Sequence, residues 1–210
     1  LGQKLSTIIW EGPDEDLTLT ANTQPALMAV SLSIVRALES EGLILKDKVA
    51  YVAGHSLGEY SALAAAGAFS VADTARLLRI RGEAMQAAVP VGEGAMAAII
   101  GLEREQVDAI CNENSTGGVC QIANDNGAGQ LVISGSKANI EAAAQQASEM
   151  GAKRARLLPV SAPFHSALMA PAADAMKEAL AEVAMQAPCV PLVANVAAGP
   201  VTDPAEIADL

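Results

Sequence analysis

The amino-acid sequence predicts an α/β protein that has a parallel-sheet core and a smaller inserted subdomain. A serine lies at the centre of a G-x-S-x-G motif, Gly54–Gly58, between a strand-like run and a helix-like run. The order β-α-β-β-α-β follows over residues 91–160, and a further helix and strand come after it. With 210 residues, of which 51% are hydrophobic, the chain is long enough to bury such a core.

The part of the chain before residue 91 predicts three helices and one strand. A helix over Thr20 to Gly42 has Pro25 in its first turn and a glycine after its last apolar residue. Val49–Ala53 is a short apolar run of the kind expected for a buried parallel strand. A helix over Leu57 to Ala66 follows the serine, and a Ser-x-x-Asp capping pattern begins another over Ser70 to Ala88.

Residues 91–160 predict a ferredoxin-like subdomain, because two helix-like runs alternate with four strand-like runs in the required order. The turn Asn124–Gly127 separates the two middle strands. The predicted strands are Ala95–Ile100, Val119–Ala123, Gln130–Ser134 and Arg154–Val160, and the predicted helices are Glu103–Asn114 and Lys137–Met150. We therefore expect this subdomain to be inserted into a large α/β subdomain formed by residues 1–90 and 161–210.

The residues after 160 predict a helix over Ser166 to Met185 and a buried strand over Val190 to Val196. Only two strands of the main sheet are then evident, which is few for a complete parallel sheet. The sequence also begins inside an apparent helix. We therefore expect the large subdomain to be incomplete at both ends.

Composition and charge argue against several kinds of partner and site. The formal net charge of −11 disfavours nucleic acid or an anionic membrane as the main partner. We expect no membrane span and no signal peptide, because the apolar stretches are short. The widely spaced Cys111, Cys120 and Cys189 predict neither a disulfide framework nor a metal site, which favours a reducing cytoplasm. We expect no metal and no cofactor.

Ser56 is the candidate nucleophile. A strand, a sharp turn and a helix form the context in which a nucleophile elbow exposes a serine hydroxyl. The helix behind it would supply backbone N–H groups and a positive dipole end where an oxyanion forms. The alternative is a glycine-rich turn that only packs a helix on a sheet.

A serine nucleophile needs a general base, and the chain has two histidines. His55 is adjacent to Ser56 on the turn, so the two side chains should point apart. His165 lies in the segment Ser161–Ser166, between a predicted strand and a helix, where active sites of α/β folds collect. A structural role for this histidine is the alternative. No aspartate lies at an obvious strand end to complete a triad, so a backbone carbonyl is an alternative orienting group.

Arg81 is a second clue, because a helical projection places its side chain among apolar residues. Leu77, Leu78, Ala84, Met85 and Ala88 share that face, and Arg76, Arg79, Glu83 and Gln86 fall on the opposite face. A guanidinium that faces a core needs an anion. A substrate carboxylate, a distant structural carboxylate, or a side chain that reaches out to the edge would each satisfy it.

Three polar residues and one basic run remain. Gln24 precedes Pro25 near a helix start, and Asn124 and Asn126 lie in the turn of the predicted subdomain, where capping or turn chemistry is the usual role. Each is also a candidate to line a site. Lys153–Arg156 is the densest basic run, typical of a solvated strand edge or of a surface that docks an acidic partner.

Taken together, these motifs resemble the malonyl-CoA:acyl carrier protein transacylase family of bacterial fatty acid synthesis. The matching segments are Gln24–Ala26, Gly54–Glu59, Arg81–Gly82, Asn124–Gly135 and Ala162–Ser166. The resemblance runs over nearly the whole chain and is more specific than the serine motif alone. It implies an α/β-hydrolase-like core with a ferredoxin-like insert, and a monomer whose partners are malonyl-CoA and acyl carrier protein.

The resemblance also implies residue roles. Ser56 would be acylated, His165 would act as its base and later as an acid, and Arg81 would pair with the malonyl carboxylate. The N–H of Leu57 would belong to the oxyanion hole, and Gln24 and Asn126 would bind substrate. A Ser–His dyad replaces a triad in this family. Phe164, just before the histidine, is the malonyl-type choice, whereas related methylmalonyl domains tend to carry serine.

The family's N-terminal strand with its Gly-Gln-Gly loop and its C-terminal portion are absent, so the resemblance implies an internal fragment of such an enzyme. Two other readings stay open from the residues. A serine esterase or thioesterase of the α/β-hydrolase type shares the elbow and predicts a carboxylate on His165 with no cationic clamp. A non-catalytic domain that binds carrier protein could keep the same scaffold.

Overall fold

The computed structural model describes residues 2–90, 92–160 and 162–210 and has a mixed α/β fold. The helices are α1 (Leu5–Glu11), α2 (Asp14–Thr18), α3 (Thr20–Ser40), α4 (Leu45–Lys48), α5 (Gly58–Ala65), α6 (Val71–Ala88), α7 (Arg104–Glu113), α8 (Lys137–Glu149), α9 (Ala170–Ala181) and α10 (Pro204–Asp209). The strands are β1 (Val52–Ala53), β2 (Gly94–Ile100), β3 (Cys120–Asp125), β4 (Gln130–Ser136), β5 (Arg154–Leu157), β6 (Leu192–Ala194) and β7 (Gly199–Val201). No helix in the described ranges has both the length and the apolar character needed to cross a membrane.

The chain divides into two compact units. The first unit contains Leu1–Glu83 and Asp174–Leu210, and the second unit contains Ala84–Ala173. The boundaries therefore fall inside α6 and α9. The division predicted at residues 91 and 161 uses two positions that lie outside the described residues.

The first unit contains a sheet with the strand order β1-β6-β7. β1 runs parallel to β6, with Val52 opposite Leu192, and β7 runs antiparallel to β6. The predicted parallel strand therefore exists, but it is shorter than Val49–Ala53 and is not buried. Tyr51 is 55% exposed. The physical reason is that α4 ends at Lys48, and β1 pairs on one side only among the described residues.

Helices α5 and α6 pack on this sheet through aliphatic side chains. Leu63, Leu77 and Leu192 are at most 3% exposed and belong to one core cluster. Leu78 is fully buried and joins a second cluster with Met28 of α3. The start of α5, which immediately follows the serine motif, is thereby held between the sheet and α3.

The second unit is built on an antiparallel sheet with the strand order β3-β4-β2-β5. Its core includes one isoleucine from each of β2, α7, β4 and α8 that is at most 1% exposed, namely Ile99, Ile110, Ile133 and Ile140. The strands and helices predicted here all occur. β3 extends to Asp125, so Asn124 lies in the strand instead of the turn, and β5 ends at Leu157 instead of Val160.

The C-terminal part of the prediction needs correction. The predicted helix over Ser166 to Met185 is a 3₁₀ turn, Ala167–Met169, followed by α9, which ends at Ala181. The strand predicted over Val190 to Val196 is only β6. Sequence analysis missed β7 and α10, although Asp203 before Pro204 is a capping signal. The Asp203 carboxylate accepts hydrogen bonds from the N–H groups of Ala205 and Glu206.

Candidate active site

Ser56 lies on a strained turn between β1 and α5. Its φ of 53° is in the left-handed region, which a non-glycine residue adopts at a cost of about 1–3 kcal/mol. A Cβ at Gly54 would lie 2.0 Å from the backbone carbon and oxygen of Gly58, so only glycine fits there. Gly58 itself faces open space. The turn therefore has the close strand-to-helix approach of a nucleophile elbow. Of the two glycines that flank the serine motif, only Gly54 has a neighbour that leaves no room for a side chain.

The N-terminus of α5 begins directly behind the serine. The N–H groups of Gly58, Glu59 and Tyr60 donate to the carbonyls of His55, Ser56 and Leu57 respectively. Among the hydrogen bonds between described residues, the N–H of Leu57 donates none. The geometry therefore leaves a backbone donor at the positive end of the helix, next to the serine.

Arg81 reaches the serine from α6. Its Nη2 donates to Ser56 Oγ at 3.1 Å, and its Nη1 donates to Gln24 Oε1 at 2.7 Å. Its guanidinium carbon lies 5.8 Å from the ring centroid of Tyr60. The predicted candidates Ser56, Arg81 and Gln24 thus converge at one place in the first unit.

Electrostatics at Arg81 are unusual, because no carboxylate of the described residues lies within ion-pair distance of it. Burial lowers the pKa of Arg81, and the nearby Tyr60 and Glu59 oppose that shift. Burial also raises the pKa of Tyr60 and the pKa of Glu59. The site therefore holds a part-buried cation next to a hydroxyl, with hydrogen bonds to neutral acceptors.

Gln24 lies on α3 and is 2% exposed. Its Nε2 donates to Thr20 Oγ1 at 2.9 Å, so its Oε1 is turned towards Arg81. A Cβ at Gly82 would lie 2.7 Å from the backbone of Thr20 and Ala21. The glycine after Arg81 therefore allows α6 to approach α3 closely enough for the two side chains to meet. Gln24 is the fifth residue of α3, so Pro25 lies beyond the first turn.

The helical projection of α6 was right for its apolar face and partly wrong for its polar face. Leu77 and Leu78 are buried, and Arg76 and Glu83 are exposed. The side chain of Arg79 is only 13% exposed. Its Nη1 donates to Asn22 Oδ1 at 3.1 Å. The amide of Gln86 is buried too.

His165 belongs to the second unit. Its φ of 56° is in the left-handed region, and it lies directly before Ser166 and the 3₁₀ turn. The N–H of Phe164 donates to the carbonyl of Ala162 at 3.0 Å, and Ser166 Oγ donates to the carbonyl of Pro163 at 2.8 Å. These bonds close a tight loop around the backbone of the histidine. Ser161, the first residue of the predicted segment, lies outside the described residues.

The remaining candidates lie in the second unit as well, except His55. Asn126 is exposed in the β3–β4 turn, where its N–H donates to the carbonyl of Gln130 at 2.9 Å. In the basic run Lys153–Arg156, Lys153 directly precedes β5 and the other three residues begin it, and β5 is an edge strand. His55 is exposed on the elbow. In the described ranges, no group of three His, Cys, Asp or Glu side chains is arranged to hold a metal ion.

Known proteins with similar sequences indicate the family of this chain. The acyl transferase domain family matches residues 1–209. The chain belongs to that family. A malonyl CoA-acyl carrier protein transacylase of Bacillus subtilis is 48% identical over 208 residues, which cover 99% of this chain and 64% of that protein. The Salmonella typhimurium transacylase is 46% identical and is covered to 67%. The predicted family resemblance is confirmed.

Solved structures give the same result for this acyl transferase domain. The acyl-carrier-protein S-malonyltransferase of Bartonella henselae is 64% identical with a TM-score of 0.96, over 99% of this chain and 66% of that one. A malonyl-transacylase in complex with its type II PKS acyl-carrier protein is 41% identical with a TM-score of 0.94. That match covers 99% of this chain and 66% of that one. The chain thus spans about two thirds of the length of these relatives.

Sequence analysis of the acyl transferase domain missed two residues that contact the elbow or the cation. Tyr60 places its ring beside Arg81. Asn195, directly after β6, hydrogen-bonds to the backbone of Gly54 and of Ser56 in the elbow. Tyr60 could have been found from the sequence, because it lies one helical turn beyond Ser56. Asn195 gave no usable signal, because it was placed inside the predicted strand Val190–Val196.

Proposed function

We propose that this acyl transferase domain moves a malonyl group from malonyl-CoA to the phosphopantetheine thiol of an acyl carrier protein through a malonyl ester on Ser56. The observation that carries the proposal is the guanidinium of Arg81, 3.1 Å from Ser56 Oγ and without a described carboxylate partner. A cation beside a nucleophile suits an acyl group that carries a free carboxylate. Malonyl has one, and acetyl does not.

In the proposed first step the carboxylate of malonyl-CoA pairs with Arg81 and displaces the bond to Ser56 Oγ. The serine oxygen is then free to attack the thioester carbonyl. The negative charge that develops on the carbonyl oxygen is stabilised by the N–H of Leu57 at the start of α5. Collapse of the tetrahedral intermediate breaks the carbon–sulfur bond, and coenzyme A leaves.

We assign the proton transfers to His165. It would take the proton of Ser56 during attack and return a proton to the departing thiolate. In the second half-reaction it would deprotonate the thiol of the carrier protein, and the thiolate would attack the ester carbonyl of malonyl-Ser56. The ester C–O bond would then break, and His165 would return the proton to Ser56 Oγ. The tight loop of Ala162–Ser166, with its left-handed histidine, supports a fixed imidazole.

Gln24 and Asn126 are proposed to contribute to substrate binding in different ways. Gln24 supports the Arg81 guanidinium through a 2.7 Å bond and is itself anchored on Thr20. Asn126 is exposed in a turn of the second unit, where it would contact the thioester substrate. Phe164 would favour malonyl over bulkier branched units. No cofactor enters this scheme.

We also propose the finer description of the fold, an α/β-hydrolase-like core with a ferredoxin-like insert. The antiparallel strand order β3-β4-β2-β5 and two helices support the insert, because this is the order of ferredoxin-like sheets. The parallel β1–β6 pair followed by the elbow supports the core. The predicted division, residues 1–90 and 161–210 against 91–160, is part of this proposal.

The proposed partners are malonyl-CoA and an acidic carrier protein, for which Lys153–Arg156 on the edge strand β5 is a candidate docking surface. Relatives named as malonyl CoA-acyl carrier protein transacylases support this choice. We propose a monomer in the cytoplasm, with neither nucleic acid nor membrane as a partner. The net charge of −11 supports the last point.

A serine esterase of the α/β-hydrolase type was the alternative. It predicts no cationic clamp at the nucleophile, and the position of Arg81 argues against it. The names of the relatives give it no support either. A non-catalytic carrier-binding domain would not need a strained serine that faces an arginine.

A transfer assay tests the proposal. The full-length protein is incubated with malonyl-CoA and acyl carrier protein that bears phosphopantetheine, and the mass of the carrier is measured by mass spectrometry. We expect malonyl-carrier to form faster than free malonate, and the Ser56→Ala variant to form neither above background. Release of malonate without transfer to the carrier would favour the esterase, and no turnover would favour the binding domain.

A further inference from the structure

Asn195 is the residue that follows β6, and its side chain contacts the serine motif at three points. Its Oδ1 accepts a hydrogen bond from the N–H of Ser56 at 2.9 Å. Its Nδ2 donates to the carbonyl of Gly54 at 2.7 Å and to Glu59 Oε2 at 2.6 Å. These contacts lie before, at and after the candidate nucleophile, on a residue 139 positions away from it in sequence.

The position of Asn195 explains how the sheet supports the elbow. β1 and β6 pair in parallel through Val52 and Ala53, and the chain then leaves the sheet. Beyond that point the Asn195 amide replaces a neighbouring strand, since it offers one donor and one acceptor. The donor meets the carbonyl of Gly54, and the acceptor meets the N–H of Ser56. The ladder therefore continues into the turn through a side chain.

Glu59 determines which end of the amide faces the serine. Its carboxylate accepts from Asn195 Nδ2 at 2.6 Å and from the Asn195 backbone N–H at 3.4 Å. An ionised carboxylate only accepts hydrogen bonds, so the nitrogen of the amide must face it. The amide oxygen is then turned towards Ser56. Glu59 lies one position beyond Gly58 on α5, so the elbow is fixed from both the helix and the sheet.

We propose that Asn195, oriented by Glu59, is a positioning residue for Ser56. A φ of 53° at a serine persists only where surrounding contacts impose it. The bond from Ser56 N–H to Asn195 imposes it at the residue itself. It thereby keeps Oγ in reach of Arg81 and next to the Leu57 N–H. The inference rests on the proposed function, in which Ser56 is the nucleophile.

The first test separates positioning from substrate binding in the full-length protein. Asn195→Ala is expected to lower kcat for malonyl transfer about 10- to 100-fold, because a small misplacement of the nucleophile has that effect. The KM for malonyl-CoA and the preference for malonyl over acetyl should stay within about twofold, because the Arg81 clamp is untouched. A loss confined to KM would overturn the inference.

A matched control comes from the second unit. Asn139 Nδ2 donates to the carbonyls of Asn114 at 2.7 Å and Thr116 at 3.2 Å, so it also ties distant backbone together. Asn139→Ala should keep the wild-type kcat, even where urea unfolding shows that it loses as much stability as Asn195→Ala. Equal kcat values in the two variants would overturn the proposed role.

A charge-swapped pair keeps the test decisive if the alanine variant fails to fold. Asn195→Asp removes the donor and places a carboxylate against Glu59, so we expect a kcat loss at least as large as with alanine. Adding Glu59→Gln restores a hydrogen bond between the two side chains in the reverse direction, because the amide at position 59 now donates to the carboxylate at position 195. The double variant should regain about tenfold in kcat over Asn195→Asp. No recovery would overturn the orienting role of Glu59.

Labelling of Ser56 distinguishes failure of this inference from failure of the proposed function. If Ser56→Ala is still acylated by malonyl-CoA, the proposed function fails and the inference fails with it. If Ser56→Ala is not acylated but Asn195→Ala is acylated at the wild-type rate, only the positioning role fails. Slow acylation in Asn195→Ala, together with none in Ser56→Ala, supports both.

Discussion

Replacing Arg81 with alanine should change which acyl group the protein transfers more than whether it transfers one. The guanidinium makes two hydrogen bonds to neutral acceptors, to Gln24 Oε1 at 2.7 Å and to Ser56 Oγ at 3.1 Å. A malonyl carboxylate would take the place of Ser56 Oγ and accept two N–H bonds from the guanidinium, now between opposite charges, while Gln24 stays bound. Acetyl-CoA has no group that makes this exchange, so its transfer does not depend on the clamp.

The magnitude follows from the two bonds that the guanidinium would donate to the malonyl carboxylate. A hydrogen bond to a charged group contributes about 1.5–3 kcal/mol, and we take the lower value because the bond to the neutral Ser56 Oγ is given up. Two such bonds give about 3 kcal/mol, which corresponds to about 150-fold in kcat/KM. Malonyl transfer should fall by that factor in Arg81→Ala, whereas acetyl transfer should change less than about threefold.

The assay measures kcat/KM for malonyl-CoA and acetyl-CoA in parallel, with the same carrier protein. Arg76→Ala is the matched control, because Arg76 is an exposed arginine of the same helix that pairs with Asp73. It should leave both values unchanged. If Arg81→Ala lowers malonyl and acetyl transfer equally, the guanidinium does not recognise the malonyl carboxylate.

Three further predictions concern the same site. Gln24→Glu places a carboxylate on Arg81, so steady-state kinetics should show a raised KM for malonyl-CoA; an unchanged KM would argue against the clamp. Gly54→Ala forces a Cβ to within 2.0 Å of the backbone, so urea unfolding should show a free energy of unfolding lower by about 3 kcal/mol or more. Gly58→Ala is the control: its Cβ lies in open space, so the free energy of unfolding should be unchanged or higher by up to about 1 kcal/mol. Burial raises the pKa of Glu59 above its ordinary 4.5, so the folded state holds this proton to higher pH than the unfolded chain. The free energy of unfolding should therefore fall as pH rises from 4.5 through the raised pKa, and Glu59→Gln should remove that fall. A difference in the free energy of unfolding between wild type and variant that does not change with pH over this range would contradict the prediction.

Sequence reasoning succeeded where local signals determine structure. The helix over Thr20 to Gly42 ends within two residues of the observed end of α3, and the capping pattern at Ser70 marks the start of α6. There the N–H of Asp73 donates to Ser70 Oγ at 3.0 Å. These outcomes depend on residues near one another in the chain, which is what periodicity and capping report.

The predictions that failed depend on partners far away in sequence. β1 and β6 are shorter than the apolar runs from which they were predicted, because strand length is set by the neighbour with which a strand pairs. Gly82 carried no local signal for its role, which is to let α6 approach Ala21. Asn195 was unpredictable for the same reason, since its function depends on the elbow and not on its own segment.

In the proposed reaction malonyl-CoA forms an ester on Ser56, and this ester can be trapped. The full-length protein is mixed with malonyl-CoA without an acceptor, quenched in acid, digested and analysed by mass spectrometry. We expect one malonyl group on the peptide that contains Ser56 and none in Ser56→Ala. A malonyl group on any other residue, or an unmodified Ser56 peptide under saturating malonyl-CoA, would contradict it.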